Sequence, residues 1–205
     1  MIQLHSKHRL PLTILFIVML ATLSACGTRV TRVAVDETHD LSGNWNDTDS
    51  RLVSEEMVAD VLSRNWLNEY RRSHSGQPTV IVGELRNLSH EHINVNTFVN
   101  DIERELINSG KVQFVASRDE RSDVRDERAD QELNAREDTR KEMGQEIGAD
   151  YMLKGSINTI IDHEGKEAIK YYQVDLNLID MADNRKVWVG QKKIKKLVEK
   201  GAFRF

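Results

Sequence analysis

The sequence has few of the residues that form disulfides, stiff linkers or aromatic clusters. It contains one cysteine and two prolines among 205 residues, and aromatic residues make up 6%. A single cysteine excludes an intramolecular disulfide, and two prolines exclude a proline-rich linker. Acidic residues outnumber basic ones, which gives a net charge of −4. Because nucleic-acid binding depends largely on basic contacts to phosphate, we expect no nucleic acid as a partner.

The sequence also lacks the common motifs of catalytic and metal sites. It has no H-E-x-x-H and no glycine-rich phosphate loop. His90 and His92 could bind a metal only with ligands from distant parts of the chain, and exposed loop histidines are the simpler interpretation. We therefore expect a binding protein rather than an enzyme, with no cofactor and no small-molecule substrate.

The strongest pattern lies at the N-terminus. A basic stretch at residues 7–9 precedes an apolar segment at residues 10–23, which is shorter than the ~20 residues of a comfortable membrane span. The sequence Leu-Ser-Ala-Cys follows, ends at Cys26 and resembles the bacterial lipobox, in which the cysteine is acylated before cleavage on its N-terminal side. This pattern predicts a signal peptide at residues 1–25 and lipidation of Cys26, and an uncleaved N-terminal anchor is the alternative.

The residues after the cysteine indicate where the protein is anchored. Gly27 replaces the Asp that favours inner-membrane retention in enteric-type bacteria, so we expect the chain to be lipid-anchored in the outer membrane and to face the periplasm. Residues 26–50 are predicted to form the lipidated N-terminus and a short tether, in which Val30–Val35 could be a short strand. Fully extended, residues 27–50 span at most ~80 Å.

The remaining pattern predicts one α/β domain over residues 51–205. The expected structure is a mixed sheet that ends in an antiparallel three-strand meander, with helices packed on it. Because the predicted core lies beyond residue 50, a chain without its first 50 residues is expected to fold as a monomer. The predicted helices are 51–72, 96–109 and most of 118–148, and the predicted strands are 79–83, 111–116, 150–161, 169–180 and 185–194.

Two highly charged segments each allow two interpretations. Residues 118–142 could be a solvated helix, with ion pairs such as Glu132 with Arg136 and Glu137 with Lys141, or a docking arm. The lysine-rich run at residues 192–196 could be a solvated strand end, or it could contact an acidic partner or an anionic lipid.

One loop is the predicted partner-binding surface. It follows a buried strand, precedes a helix and displays Arg86, Asn87, His90 and His92. A loop on a rigid frame is where binding residues concentrate. The alternative is that Asn87 and Asn94 shape the turn and cap the helix.

Several segments from residue 79 onward form an ordered series. They are Glu91 to Asn94, Asn108 to Val115, Thr139 to Gly144, Gly148 to Gly155, Tyr172 to Leu176 and Val187 to Gly190. In this order they resemble the LpoB family, outer-membrane lipoproteins that activate penicillin-binding proteins. Single pieces are less specific, because some also occur in lipoproteins similar to the curli secretion protein CsgG.

This resemblance implies a small α/β domain like the N-terminal domain of TolB. It also implies a class A penicillin-binding protein as the partner, a bifunctional glycosyltransferase and transpeptidase that builds peptidoglycan. A CsgG-like structural or secretion-apparatus lipoprotein is the alternative. A membrane pore is disfavoured, because Asp175 and Asn177 lie on one face of the best alternating strand. An envelope scaffold without an enzymatic partner remains a third possibility.

We predict that Cys26→Ser abolishes lipid anchoring, because the only thiol in the chain is then lost. The variant should accumulate as a soluble protein or an uncleaved precursor, which membrane fractionation and intact mass spectrometry would detect. Normal outer-membrane partition of a chain with an unmodified Cys26 would contradict the prediction.

Overall fold

The computed structural model describes residues 30–199, so the predicted signal peptide and Cys26 lie outside the described residues. Residues 30–37 belong to one unit, and a second, compact unit begins at Thr38. The predicted strand at Val30–Val35 is wrong: these residues are exposed and contain no strand, and residues 30–37, the described part of the first unit, offer no second strand with which to pair. No helix within residues 30–199 is long and apolar enough to cross a membrane.

The compact unit contains four α-helices and five β-strands. The predicted fold class is confirmed, although several boundaries differ from the expected ones. In chain order the elements are α1 (Asp47–Ser63), α2 (Trp66–Ser73), β1 (Thr79–Leu88), α3 (Val95–Asn108), β2 (Gln113–Phe114), α4 (Arg118–Asn134), β3 (Tyr151–Glu164), β4 (Glu167–Asp180) and β5 (Lys186–Glu199).

The predicted helix 51–72 is in fact two helices, and the first begins earlier than expected. Asn46 caps α1 through a capping box, in which its side chain accepts from the Asp49 N–H and the Asp49 carboxylate accepts from the Asn46 N–H. The helix stops before Arg64, whose backbone is extended. The indole N–H of Trp66 then donates to the Val61 carbonyl at 2.7 Å and so satisfies one of the carbonyls at the helix end.

The sheet has the strand order β2-β1-β3-β4-β5. Strand β1 pairs in parallel with β2 and β3, whereas β3, β4 and β5 form the predicted antiparallel meander. Strand β1 is longer than the predicted 79–83 and extends to Leu88, because its second half pairs with β3 after an irregularity between Val82 and Leu85. Strand β2 is only two residues long.

Helices α1 and α3 cover one face of the sheet and form the core with it. The predicted alternation of β4 is confirmed, because Tyr172 and every second residue to Leu178 are buried against the helices. Strand β5 follows the same rule at Trp188. Gly190 leaves room for the Trp188 indole, since a Cβ at Gly190 would collide with that ring.

Helix α4 ends well before the predicted position near Gly148. It stops at Asn134, after which Ala135 is extended and residues 135–150 form turns and irregular structure. Neither predicted ion pair forms in this described segment: Arg136 instead pairs with Asp138, and the pair belongs to the turn after the helix. Helix α4 begins with a capping box between Ser117 and Glu120 and contributes no buried residue to the core.

The structure corrects the expectation that the domain begins at residue 51. Residues 48–50 are buried, Trp45 packs against the core, and Asp49 binds Lys196. A chain that begins at Thr38 should match the chain from residue 27 in stability. A chain that begins at Arg51 should lose ~3 kcal/mol or more, because it lacks the helix cap and leaves Lys196 unpaired. Urea unfolding followed by circular dichroism measures both, and equal stability of the two truncations would contradict the assignment.

Candidate partner-binding surface

The predicted contact residues lie on two different elements. Arg86 and Asn87 belong to strand β1 and not to a loop, so that part of the prediction is wrong. They pair there with Ser156 and Ile157 of β3, a register that the short apolar run at residues 79–83 does not reveal. The loop itself comprises residues 89–94 and contains both His90 and His92.

Asn87 shapes the loop through its own side chain. Its Oδ1 accepts from the Ser89 N–H at 3.0 Å and from the Ser89 hydroxyl at 2.6 Å, and its Nδ2 donates to the Glu91 carbonyl at 2.8 Å. Asn94 caps α3 by accepting from the Asn96 N–H. These contacts support the alternative interpretation of the two asparagines, in which they hold the loop rather than a partner.

The two histidines and Arg86 remain exposed. His90 is anchored to β3, because its N–H donates to the Thr159 hydroxyl at 3.1 Å and its Nδ1 lies 3.0 Å from the same oxygen. Within residues 30–199, no group of three or more His, Cys, Asp or Glu side chains could hold a metal ion. Arg86, Leu88, His90 and His92 are all exposed, on the second half of β1 and in the loop that follows it, and we call these four residues the contact surface.

Glu91 fixes the loop from beneath. Its carboxylate accepts from the Trp45 N–H at 3.0 Å, from the Tyr172 hydroxyl at 2.8 Å and from the Lys170 ammonium at 2.8 Å. The side chains of Glu91 and Lys170 are only 14% and 16% exposed. A charge-assisted pair of this kind, largely shielded from water, holds its partners more firmly than a surface ion pair does.

The environment of Glu91 also changes its titration. Burial raises the pKa of the Glu91 carboxyl, but the hydrogen bonds from Lys170, Trp45 and Tyr172 outweigh burial and hold the pKa below the ordinary value of 4.5. The hydrogen bond between Glu91 and Tyr172 has the opposite effect on the pKa of the Tyr172 phenol. Burial and the hydrogen bond to Glu91 raise the pKa of Tyr172 far above its usual range.

A second ion pair lies beside the first. Lys170 of β4 and Lys196 of β5 are directly opposite each other in the antiparallel register. Two like charges in that position would destabilise the sheet. Lys170 is neutralised by Glu91, whereas Lys196 binds Asp40 and Asp49, each at 2.7 Å.

These contacts fasten residues 38–46, the N-terminal strap, to the sheet. Asn44 accepts from Lys170 through its side chain and from Lys196 through its carbonyl. The Gly43 carbonyl accepts from the Tyr172 hydroxyl, and the Trp45 ring packs edge-on against the Tyr172 ring at 5.6 Å. The strap, the loop and β4 therefore share one network of charged and aromatic groups.

The sequence analysis missed Glu91 as a positioning residue, although a signal for it exists. Lys170 falls in the same alternation as Tyr172 and Val174, on the face that points into the core. A lysine in that register requires an opposite charge. The lysine run of β5 divides in the same way: Lys192 pairs with Glu56 and Lys196 with the strap, while Lys193 and Lys195 are exposed on the other face.

The chain is similar to one known protein family and to several solved structures. The family model described as "Peptidoglycan-synthase activator LpoB" matches residues 49–194. The solved C-terminal domain of Escherichia coli LpoB is 15% identical, with a TM-score of 0.42 over 72% of this chain and 99% of that domain. Lipoprotein GNA1162 of Neisseria meningitidis is 13% identical, with a TM-score of 0.39 over 58% of this chain and 83% of that one. No curated protein sequence matches the chain.

We predict that Glu91→Gln lowers the free energy of unfolding by ~3 kcal/mol at pH 7, because Lys170 loses its opposite charge in a largely buried position. The folded-state pKa of Glu91 is below 4.5. The stabilisation that ionised Glu91 contributes is therefore complete above pH 4.5, and it is lost as the pH falls through the lower pKa of Glu91 in the folded state.

The difference between wild type and Glu91→Gln should accordingly shrink below pH 4.5, as measured by urea unfolding across a pH series. Glu84→Gln is the matched control, since Glu84 is exposed on β1, the strand that leads into the loop, and its loss should change stability by less than ~0.5 kcal/mol. Equal effects of the two substitutions, or a difference that persists unchanged in acid, would show that Glu91 does not hold the loop.

Proposed function

Because the chain belongs to the LpoB family of peptidoglycan-synthase activators, we propose that it binds and stimulates a bifunctional penicillin-binding protein. The partner is a class A enzyme, with glycosyltransferase and transpeptidase activities, and the lipoprotein regulates its synthesis of peptidoglycan. The protein itself needs no cofactor and no small-molecule substrate for this role. The observation that carries the proposal is the match of the family model to residues 49–194.

The contact surface is the proposed binding site. Arg86 and Leu88 lie on the exposed side of β1, and the Leu88 side chain is 50% exposed. His90 and His92 add imidazoles at the end of the same strand. An arginine beside an apolar side chain on a preorganised frame is the composition typical of an interface that binds without large rearrangement.

The proposed lipid anchor limits where the partner can be met. If Cys26 carries the lipid, only residues 27–37 lie between the outer membrane and the compact unit that begins at Thr38. Fully extended, they span about 40 Å, half of the reach expected from the sequence. The domain therefore stays close to the outer membrane, and the partner enzyme must extend a periplasmic domain toward it.

We predict that Arg86→Ala combined with His90→Ala lowers stimulation of the synthase by about fivefold or more, the effect of losing ~1 kcal/mol of binding energy. The measurement is the rate of glycan polymerisation by the purified synthase, with the full mature lipoprotein in detergent. The thermal midpoint should stay within about 2 °C of wild type, because both side chains are exposed.

Arg104→Ala combined with Lys111→Ala is the matched control, because both residues are exposed and lie at the far end of α3 and just beyond it. This control should stimulate as wild type does. If the Arg86 and His90 variant also stimulates fully, the contact surface is not the interface, and α4 is the next surface to test. If the wild-type chain stimulates no class A enzyme, the proposed function itself is wrong and a structural envelope role replaces it.

A further inference from the structure

Four arginines form a stripe along helix α4. Arg118, Arg121, Arg125 and Arg128 follow one another at spacings of three, four and three residues. At 3.6 residues per turn this spacing places all four on one side of the helix. They are the only basic residues of α4. Its acidic residues alternate with them along the helix and, apart from Glu132, lie on its other sides: Asp119, Glu120, Asp123, Asp126, Glu127, Asp130 and Glu132.

Two arginines of the stripe, Arg121 and Arg125, have no acidic residue of their own helix three or four positions away, whereas Arg128 has Glu132 four positions after it. The neighbours of Arg121 three and four positions away are Ser117, Arg118, Val124 and Arg125, none of which is acidic. The corresponding neighbours of Arg125 are also free of carboxylates. Ordinary solvated helices alternate charges at these spacings to form stabilising pairs. Helix α4 instead groups its positive charges, at the cost of like-charge neighbours.

One carboxylate from another segment faces this group. The Glu146 oxygens accept from Arg125 Nε at 2.8 Å and from Arg125 Nη2 at 2.7 Å, which is a bidentate pair. Arg128 Nη1 lies 3.5 Å from the same carboxylate. Glu146 belongs to the irregular segment after α4, and its side chain is 26% exposed.

The positive charge is not balanced by this single carboxylate. Three arginines, Arg121, Arg125 and Arg128, act on Glu146, and Arg121 Nε is buried without a hydrogen-bond partner among the described residues. The hydrogen bond from Arg125, together with the charges of Arg121 and Arg128, holds the pKa of Glu146 below its usual value. A guanidinium with an unpaired buried donor is an incomplete hydrogen-bonding group.

We propose that Arg121, Arg125 and Arg128 form a carboxylate-binding site, which Glu146 occupies in the free chain and into which an acidic side chain of a peptide segment binds. The bidentate geometry at Arg125 already shows the ligand chemistry that the site accepts. An incoming carboxylate binds beside Glu146 at Arg121, or takes its place at Arg125 and Arg128.

The rest of α4 restricts the occupant to a short acidic segment. The acidic residues of α4 lie within a Debye length of the stripe, ~8 Å at physiological salt, and repel a long polyanion. One or two carboxylates on a neutral peptide avoid that repulsion. This proposal concerns a surface separate from the contact surface and does not depend on the identity of the synthase.

The test is a titration of the full mature chain, labelled with ¹⁵N, with the blocked peptide Gly-Glu-Glu-Gly. Arginine Nε–H resonances report directly on guanidinium contacts. We expect saturable shifts at Arg121 and Arg125, with a dissociation constant on the order of 1 mM, and no shift at Arg104 of α3. The blocked peptide Gly-Gln-Gln-Gly should produce no saturable shift.

Two substitutions separate a binding site from a structural ion pair. Glu146→Gln removes the internal occupant and should tighten peptide binding by about two- to fivefold, the range that one surface ion pair allows. Glu142→Gln changes the same charge on an exposed neighbour and should leave binding unchanged. Arg121→Gln should abolish saturation without unfolding the chain, because α4 contributes no buried residue.

Three results would overturn the proposal. The first is the absence of saturable shifts at Arg121 and Arg125 with the glutamate peptide. The second is equal or weaker binding by Glu146→Gln than by Glu142→Gln. The third is tighter binding of inorganic phosphate at the same resonances, which would assign the site to phosphoryl groups.

Discussion

The carboxylate of Glu91 joins three parts of the chain that are far apart in sequence. It binds the backbone of Trp45 in the strap, the hydroxyl of Tyr172 and the ammonium of Lys170 in β4. Lys170 in turn lies opposite Lys196, which Asp40 of the strap and Asp49 of α1 neutralise. Two lysines can sit side by side on the core-facing side of a sheet only because separate carboxylates reach each of them.

This arrangement explains why the contact surface is suited to binding. Arg86 and Leu88 belong to β1, which pairs with β3 at these positions. The His90 N–H donates to the Thr159 hydroxyl of β3. Asn87 and Glu91 then fix the loop from within and from below. The backbone that carries the exposed groups is therefore already ordered, and a preorganised backbone is what the proposed binding requires.

The elements that the sequence predicts well are those with a simple period. The alternation from Tyr172 to Leu178 and the turn at residues 181–184 define the meander, and the spacing of Phe98, Ile102 and Leu106 defines α3. The errors arise where a specific contact, and not a repeating pattern, decides the structure. Strand β1 continues to Leu88 only because β3 pairs with it, and the break at Arg64 depends on the indole of Trp66 bonding to Val61.

The candidate site shows the same division. As expected from the sequence, Arg86, His90 and His92 are exposed. The Asn87 side chain, in contrast, forms hydrogen bonds within the loop. Glu91 does not stand out in the sequence because its partners lie 46, 79 and 81 residues away. The unequal charge pattern of α4 is visible in the sequence, but the role of Glu146 appears only once residues 135–150 fold back on the helix.

The central claim is that the contact surface meets a peptidoglycan synthase. The most direct measurement is photo-cross-linking, with a photoreactive phenylalanine analogue in place of His92 and, separately, in place of the exposed Asn100 on α3. Each full mature lipoprotein is irradiated in detergent with a purified class A penicillin-binding protein. We predict a covalent complex from position 92 and none from position 100. Cross-linking from position 100 alone, or equally from both positions, would contradict the account.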